Sequence, residues 1–85
     1  MRFIVELFKE KDWVDWMGGQ LYFNTPKRAI KNMRYAHVII VNHRNLEAMI
    51  FESEVGEWIV LPPVAVRSLD FRAGDVCTVD LRWGE

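Results

Sequence analysis

The chain has 85 residues, of which 51% are hydrophobic and 27% are charged, and its formal net charge is −1. This balance is typical of one soluble globular domain and excludes a disordered or fibrous chain, while two separate cores would each be too small to outweigh conformational entropy. Without an apolar run of about 18 residues, a signal-peptide pattern or a second cysteine, the sequence predicts a cytoplasmic protein that has no disulfide scaffold.

The N-terminal part of the chain predicts two strands on either side of a tryptophan-containing segment. Residues 2–9, RFIVELFK, alternate in the way that a half-buried strand requires. Residues 11–19, KDWVDWMGG, place Trp13 and Trp16 about one helical turn apart before two glycines, which indicates a short helical turn or a wide loop. Residues 20–24, QLYFN, predict the second strand.

A helix is predicted from Pro26 to about Arg34. Thr25 is a residue type that caps helix N-termini, and proline is tolerated at the first helical position because the N–H that it lacks would have no partner there. The apolar side chains of this helix share one stripe that would dock on a sheet. That stripe consists of Ala29, Ile30 and Met33.

The second half of the chain predicts four strands. Residues 35–42, YAHVIIVN, form a continuous run rich in β-branched residues, which favours a central strand that is covered on both faces. The segments on either side of Gly56, LEAMIFES and EWIVLP, predict a hairpin. A single helical turn is expected before the last strand, residues 76–83, in which Trp83 belongs to the inward-facing set.

Together these elements predict an α+β fold in one domain, residues 1–85. About six strands would form a small antiparallel or mixed sheet, or a partly open barrel. One main helix, at about residues 26–34, would cover one face or end of it.

The residues that can carry chemistry do not form a recognisable motif. His37 and His43 would lie about 20 Å apart on one extended strand, which is too far to share a metal ion. Cys77 alternates inward on the last strand, where a lone cysteine usually acts as a small apolar residue. Gly18 and Gly19 lack the further residues of a phosphate-binding loop, and no metal-binding spacing occurs. We therefore predict no catalytic residue, no metal site and no cofactor.

Charge is distributed unevenly along the chain. Residues 20–45 hold five basic and no acidic side chains, whereas residues 46–85 hold three basic and eight acidic ones. Three of the five would form a basic stripe opposite the apolar stripe of the helix. The predicted partner-binding residues are Lys27, Arg28, Lys31, Arg34 and Arg44, together with Trp13 and Trp16 as aromatic anchors.

Three interpretations of the basic stripe stay open. It can bind nucleic-acid phosphates, meet an acidic patch on a protein, or form a solvated outer face whose charge is answered by Glu52, Glu54 and Glu57. The tryptophans of residues 11–19 either anchor a partner or close one end of the domain. Trp58 and Trp83 are expected in the core or as cross-strand neighbours.

Residues 56–85 contain a strand that ends in proline, an apolar helical turn, a Gly–Asp turn and another strand. The residues with this spacing are Pro62, Val66, Leu69, Phe71, Gly74 and Asp75. In this pattern the segment resembles the swapped-hairpin family of the AbrB and MazE type, and the resemblance implies a dimer that grips DNA as a regulator or antitoxin. At the level of size and charge alone, the chain also looks like small phage-encoded inhibitors such as anti-CRISPR proteins.

The sequence therefore predicts a non-enzymatic binding domain that acts by macromolecular contact. A protein or ribonucleoprotein is the expected partner, and a DNA-binding regulator of the AbrB and MazE type is the alternative. No membrane contact is expected, and the chain is predicted to be a monomer or a homodimer.

Overall fold

The computed structural model describes residues 1–9 and 20–84, and within these ranges the chain forms seven strands and two short helices. In chain order the elements are β1 (Arg2–Glu6), β2 (Phe8–Lys9), β3 (Leu21–Asn24), α1 (Lys27–Asn32), β4 (Tyr35–Asn42), β5 (Ala48–Glu54), β6 (Trp58–Val60), α2 (Pro63–Ser68) and β7 (Val76–Trp83). The expected α+β class is confirmed, with strands predominating. Neither of these helices is long and apolar enough to cross a membrane.

The strands form two antiparallel sheets rather than a closed barrel. Sheet 1 has the order β1-β7-β4-β5, and sheet 2 has the order β2-β3-β6. The last strand, β7, lies between the first strand and β4, so that Val79 is opposite Phe3 on one side and Ile40 on the other. The first and last strands, β1 and β7, are therefore paired with each other in sheet 1.

Both sheets and α1 contribute to one hydrophobic core. One face of sheet 1 and one face of sheet 2 are apolar and buried, and the ring of Phe23 meets that of Phe3 edge-on with 6.2 Å between their centroids. The fully buried side chains of this core include Leu7, Phe23, Ala29, Val38, Ile40, Ile59, Cys77, Val79 and Leu81.

The helical content differs from the prediction in two ways. Helix α1 ends at Asn32 instead of about Arg34, because Met33 is already extended (φ −135°, ψ 140°) and leads the chain into β4. The side-chain amide of Asn32 donates a hydrogen bond of 2.8 Å to the Arg28 carbonyl in the last turn. Helix α2 is as long as α1, with Pro63 in its first turn, so the structure has no single main helix.

Thr25 does not cap α1, and this prediction was wrong. The N-cap position is Pro26, and no side chain makes a capping hydrogen bond there. The backbone N–H of Thr25 instead donates to the Glu57 carbonyl at 2.9 Å, next to the pairing of β3 with β6. This pairing turns the threonine side chain inward, where it is 8% exposed and its hydroxyl finds no hydrogen-bond partner among the described residues.

The predicted hairpin around Gly56 does not form. Strand β5 pairs with β4 in sheet 1, and β6 pairs with β3 in sheet 2, so residues 55–57 carry the chain from one sheet to the other. The crossing is held at both ends, because Val55 donates its N–H to the Arg34 carbonyl and the Glu57 carbonyl accepts from Thr25.

Strand β4 is central, as predicted, but it is covered on one face only. Its residues alternate between buried and half-buried positions along the whole strand. Ala36, Val38 and Ile40 enter the core, whereas Ile39 and Val41 lie on the other face of sheet 1. An antiparallel sheet can leave one face to solvent in this way, which the β-branched run by itself did not indicate.

Candidate functional site

Four basic side chains cluster on and just after α1, and we call them the α1 basic surface: Lys27, Arg28, Lys31 and Arg34. All four are exposed. Within residues 1–9 and 20–84, none of them makes an ion pair with a carboxylate. Their positive charge is therefore available to a partner.

Glu52, Glu54 and Glu57 were expected to neutralise this charge, but in the described ranges none of them forms an ion pair with the four basic side chains. The Glu52 carboxylate lies 3.3 Å from Nδ1 of His37 and accepts a hydrogen bond of 2.9 Å from the Tyr35 hydroxyl. In the described ranges, neither Glu54 nor Glu57 forms an ion pair with the α1 basic surface. In the described ranges these carboxylates therefore do not pair with the α1 basic surface, whose side chains are exposed to solvent.

The geometry of the cluster differs from the predicted helical stripe. Lys27 and Lys31 remain one turn apart on α1, but Arg34 follows the helix and lies in the bend that enters β4. Ile30, expected on the buried stripe, is 36% exposed, while Ala29 and Met33 are buried. Lys31 and Arg34 therefore line one groove, beside Tyr35 and Trp83, while Arg28 lies beside Arg2 and Phe3 rather than on one helical stripe with them.

An exposed tryptophan lies beside this surface. Trp83, at the end of β7, is 68% exposed and lines a shallow groove of about 560 Å³ together with Ile30, Lys31, Arg34 and Tyr35. The core position expected for Trp83 was wrong, because the end of β7 extends past the core, whereas its cross-strand position is confirmed, since Trp83 lies opposite Ala36 of β4. Strand alternation places a side chain on a face but does not say where the core ends.

Gly84 and Tyr35 form the floor at this end of the groove. The Gly84 N–H donates to the Tyr35 carbonyl at 3.1 Å, and a Cβ on Gly84 would lie 2.6 Å from the Tyr35 ring. The hydrogen bond from the Tyr35 hydroxyl to Glu52, together with burial and the negative charge nearby, raises the pKa of Tyr35. The tyrosine therefore stays neutral and fixed beside Trp83.

Arg44 does not belong to the α1 basic surface, although it was predicted with it. Its guanidinium contacts the carboxylates of Asp70 and Asp75, each at 3.3 Å, and the Asp70 carbonyl. The hydrogen bonds to Asp75 raise the pKa of Arg44 despite the opposing effect of burial. Arg44 thus joins the β4–β5 turn to the segment after α2, and this role is structural.

The remaining tryptophans fall into two groups. Trp13 and Trp16, the predicted aromatic anchors, lie outside the described residues. Trp58, on β6, lies opposite Asn24 of β3, which confirms the cross-strand position, but it is 51% exposed and therefore does not lie in the core. Among the described residues, both Trp58 and Trp83 are exposed.

The groups that could carry catalysis are kept apart. Cys77 is buried on the core face of β7, and desolvation raises the pKa of its thiol to about 12. His43 lies on the opposite face, where its Nε2 is 2.5 Å from the Thr78 hydroxyl. Among the described residues, no group of three or more histidine, cysteine or carboxylate side chains is arranged to hold a metal ion.

Comparison of the chain with protein-family models, curated protein sequences and solved structures finds no match. The side chains of the site themselves indicate what it can bind. Unpaired guanidinium and ammonium groups next to an exposed indole can bind an acidic surface, with the cations attracting it and the ring supplying contact area.

Proposed function

We propose that this chain is a non-enzymatic binding domain that acts by contact with an acidic surface on a protein or ribonucleoprotein. The observation that supports the proposal is the pairing of the α1 basic surface with the exposed Trp83. Tryptophan and arginine are the residue types most enriched at binding hot spots, because they combine large contact area with polar donors.

The arrangement is suited to recognition rather than to stability. Exposed cations without partners add little to the free energy of folding, and an indole that is 68% exposed leaves most of its apolar area in water. A partner that covers the groove would bury the ring and neutralise Lys31 and Arg34 together. Occupying a surface of a larger complex in this way is how a small inhibitor of the anti-CRISPR kind would act.

The DNA-binding alternative relies on a different part of the chain. The order of β6, Pro62, α2, the Gly74–Asp75 turn and β7 is the order on which the resemblance to the AbrB and MazE type depends. In that case the basic residues of α1 would contact phosphates, and affinity would fall steeply with salt.

Binding of labelled anionic probes by fluorescence anisotropy tests both proposals. The probes are an oligoglutamate peptide, duplex DNA and single-stranded RNA, each titrated at about 50 and about 200 mM salt. The double variant Lys27→Glu/Lys31→Glu should abolish binding, and Trp83→Ala should weaken it. The matched control is Arg67→Glu/Arg72→Glu, which changes the net charge equally at and after α2 and should bind like the wild type.

The probes separate the possible outcomes. Binding to the peptide that depends on Lys27 and Lys31 supports the acidic-protein proposal, and binding to duplex DNA alone favours the regulator. Equal loss of binding in the control pair would show that only net charge matters. No binding to any probe would refute a role of the α1 basic surface in attracting anions.

A further inference from the structure

One of the two faces of sheet 1 is not covered by residues 1–9 or 20–84, and we call this the open face. It carries a band of large apolar side chains, of which Ile4 is 68% exposed, Ile50 65% and Leu46 76%. Ile39 and Val41 lie between them and are half-buried. Several branched apolar residues side by side on one surface usually mark an interaction site, whereas single exposed ones do not.

The strand register shows where this band lies on the sheet. Ile4 is opposite Thr78, and Thr78 is opposite Val41 on the next strand. In the neighbouring row Ile39 is opposite Ile50. The apolar band therefore lies mainly on β4 and β5, and Thr78 and Asp80 of β7 separate it from Ile4. A shallow groove of about 420 Å³ runs beside Ile39, Val41 and Leu46 and is also lined by Arg2, His43, Asp80 and Arg82.

Charged residues flank the band, with opposite signs at its two edges. Arg2 on β1 and Arg82 on β7 lie on one side, at the end of the sheet where β4 begins. Glu52 and Glu54 on β5 lie on the other side at the same end. Within the described residues Arg82 pairs with Asp80 at 3.2 Å and Glu52 lies 3.3 Å from His37, whereas Arg2 and Glu54 make no ion pair. The unpaired charge is therefore positive at the β1 edge and negative at the β5 edge.

We propose that the open faces of two copies of this chain pack against each other. The two copies are related by a two-fold axis that runs nearly parallel to the strands. Packed sheets align their strands to within about 30°, and this axis places the β1–β7 half of one copy over the β4–β5 half of the other. Arg2 and Arg82 of each copy then approach Glu52 of the second copy, while the apolar bands meet at the centre.

A second copy fits this face better than a partner of one charge sign. A purely acidic partner would be repelled by the carboxylates at the edge of β5. A purely basic partner would be repelled by the arginines at the edge of β1. The two-fold arrangement satisfies both edges at once, because a symmetric interface must be complementary to itself.

The area of the face fits a weak interface. β1 has five residues, β4 and β7 have eight each and β5 has seven, so that strands spaced about 4.8 Å apart, at about 3.3 Å per residue, present about 440 Å² per copy. The two copies together would bury about 900 Å², which is in the range of weak, transient interfaces. The dimer should therefore be reversible and depend on concentration.

The state of association is measured by sedimentation velocity at protein concentrations from about 1 to about 500 μM, a range suited to a weak interface. The wild type should shift from monomer to dimer over this range. Ile50→Lys, in the apolar band on the edge strand β5 of the open face, should weaken dimerisation at least tenfold. The matched control is Val64→Lys on α2, where the valine is 52% exposed away from the face, and it should dimerise like the wild type.

Charge reversal tests the orientation of the two copies. Arg2→Glu alone and Glu52→Arg alone should each weaken the homodimer, because both symmetric contacts become repulsive. An equimolar mixture of the two variants should form a heterodimer, since both contacts are then between opposite charges. Circular dichroism of each variant checks that it is folded.

A wild type that stays monomeric at the highest concentration would overturn the proposal, as would a dimer that persists in Ile50→Lys. Dimerisation without recovery in the mixture would refute the proposed axis. The inference does not rest on the proposed function, because Lys27→Glu/Lys31→Glu should lose probe binding and still dimerise.

Discussion

Two asparagines donate to the same carbonyl, and their burial predicts very different effects on stability. Nδ2 of Asn42 lies 3.0 Å from the Leu69 carbonyl oxygen, and Nδ2 of Asn45 lies 2.9 Å from the same atom. Asn42 is fully buried at the end of β4, whereas Asn45 is exposed in the β4–β5 turn. The side-chain oxygen of Asn42 also accepts the Arg44 N–H at 3.0 Å.

Replacing Asn42 by alanine removes its hydrogen bond to the Leu69 carbonyl and the one that it accepts from the Arg44 N–H. Each lost bond costs about 1 kcal/mol, and water can reach the Arg44 N–H because Arg44 is exposed, so the expected loss is about 2 kcal/mol. For a domain of this size that corresponds to a fall in Tm of about 10 °C.

Asn45→Ala is the matched comparison. The Leu69 carbonyl keeps its bond from Asn42, and water can replace Asn45 at the surface, so the loss should stay below about 1 kcal/mol. Urea denaturation followed by circular dichroism measures both variants. Equal losses for the two variants, or a loss below about 1 kcal/mol for Asn42→Ala, would refute the argument from burial.

Three further predictions concern single side chains. Thr25→Val should raise the unfolding free energy by about 1 kcal/mol in urea titrations, since it replaces a buried hydroxyl that has no partner; a loss would mean that the hydroxyl is satisfied. Cys77 should resist thiol reagents at neutral pH until the protein unfolds, because the pKa of about 12 leaves almost no thiolate; rapid labelling of the folded protein would contradict its burial. Burial alone would raise the pKa of Asp75, but hydrogen bonds from Arg44 and from the Arg72 N–H outweigh burial and lower that pKa. The ionised Asp75 carboxylate therefore stabilises the fold fully above the unfolded pKa of about 3.9. This stabilisation is lost as the pH falls through the lower pKa of the folded protein. Thermal melts below pH 4 should therefore show a smaller dependence on pH for Asp75→Asn than for the wild type, and identical slopes would exclude this contribution.

The local pattern of the chain was sufficient to locate most of the regular elements. Alternation in residues 76–83 identified β7, in which Cys77 and Val79 are fully buried. Residues 2–9, expected as one strand, form β1 in sheet 1 and β2 in sheet 2, with the buried Leu7 between them. The run of β-branched residues identified β4 as a central strand. These predictions succeed because the local backbone of a strand makes its side chains alternate between two faces. The apolar set then faces the core.

The positions of the helix ends and of single functional side chains could not be predicted in this way. Asn32 ends α1 two residues early because the chain must turn into β4, and Thr25 turns inward because its backbone pairs beside β6. Trp83 follows the inward alternation of β7, yet it is exposed because the core stops before the strand does. Each of these outcomes depends on where other elements lie.

The sequence by itself determined the α+β class, the buried lone cysteine and the concentration of positive charge in residues 20–45. Only the tertiary structure decided that Arg44 is held by Asp70 and Asp75 while the cations of α1 stay unpaired. It also decided that sheet 1 is covered on one face and open on the other. The physical reason is that composition and periodicity act along the chain, whereas ion pairing and the coverage of a sheet depend on contacts between residues that are distant in sequence.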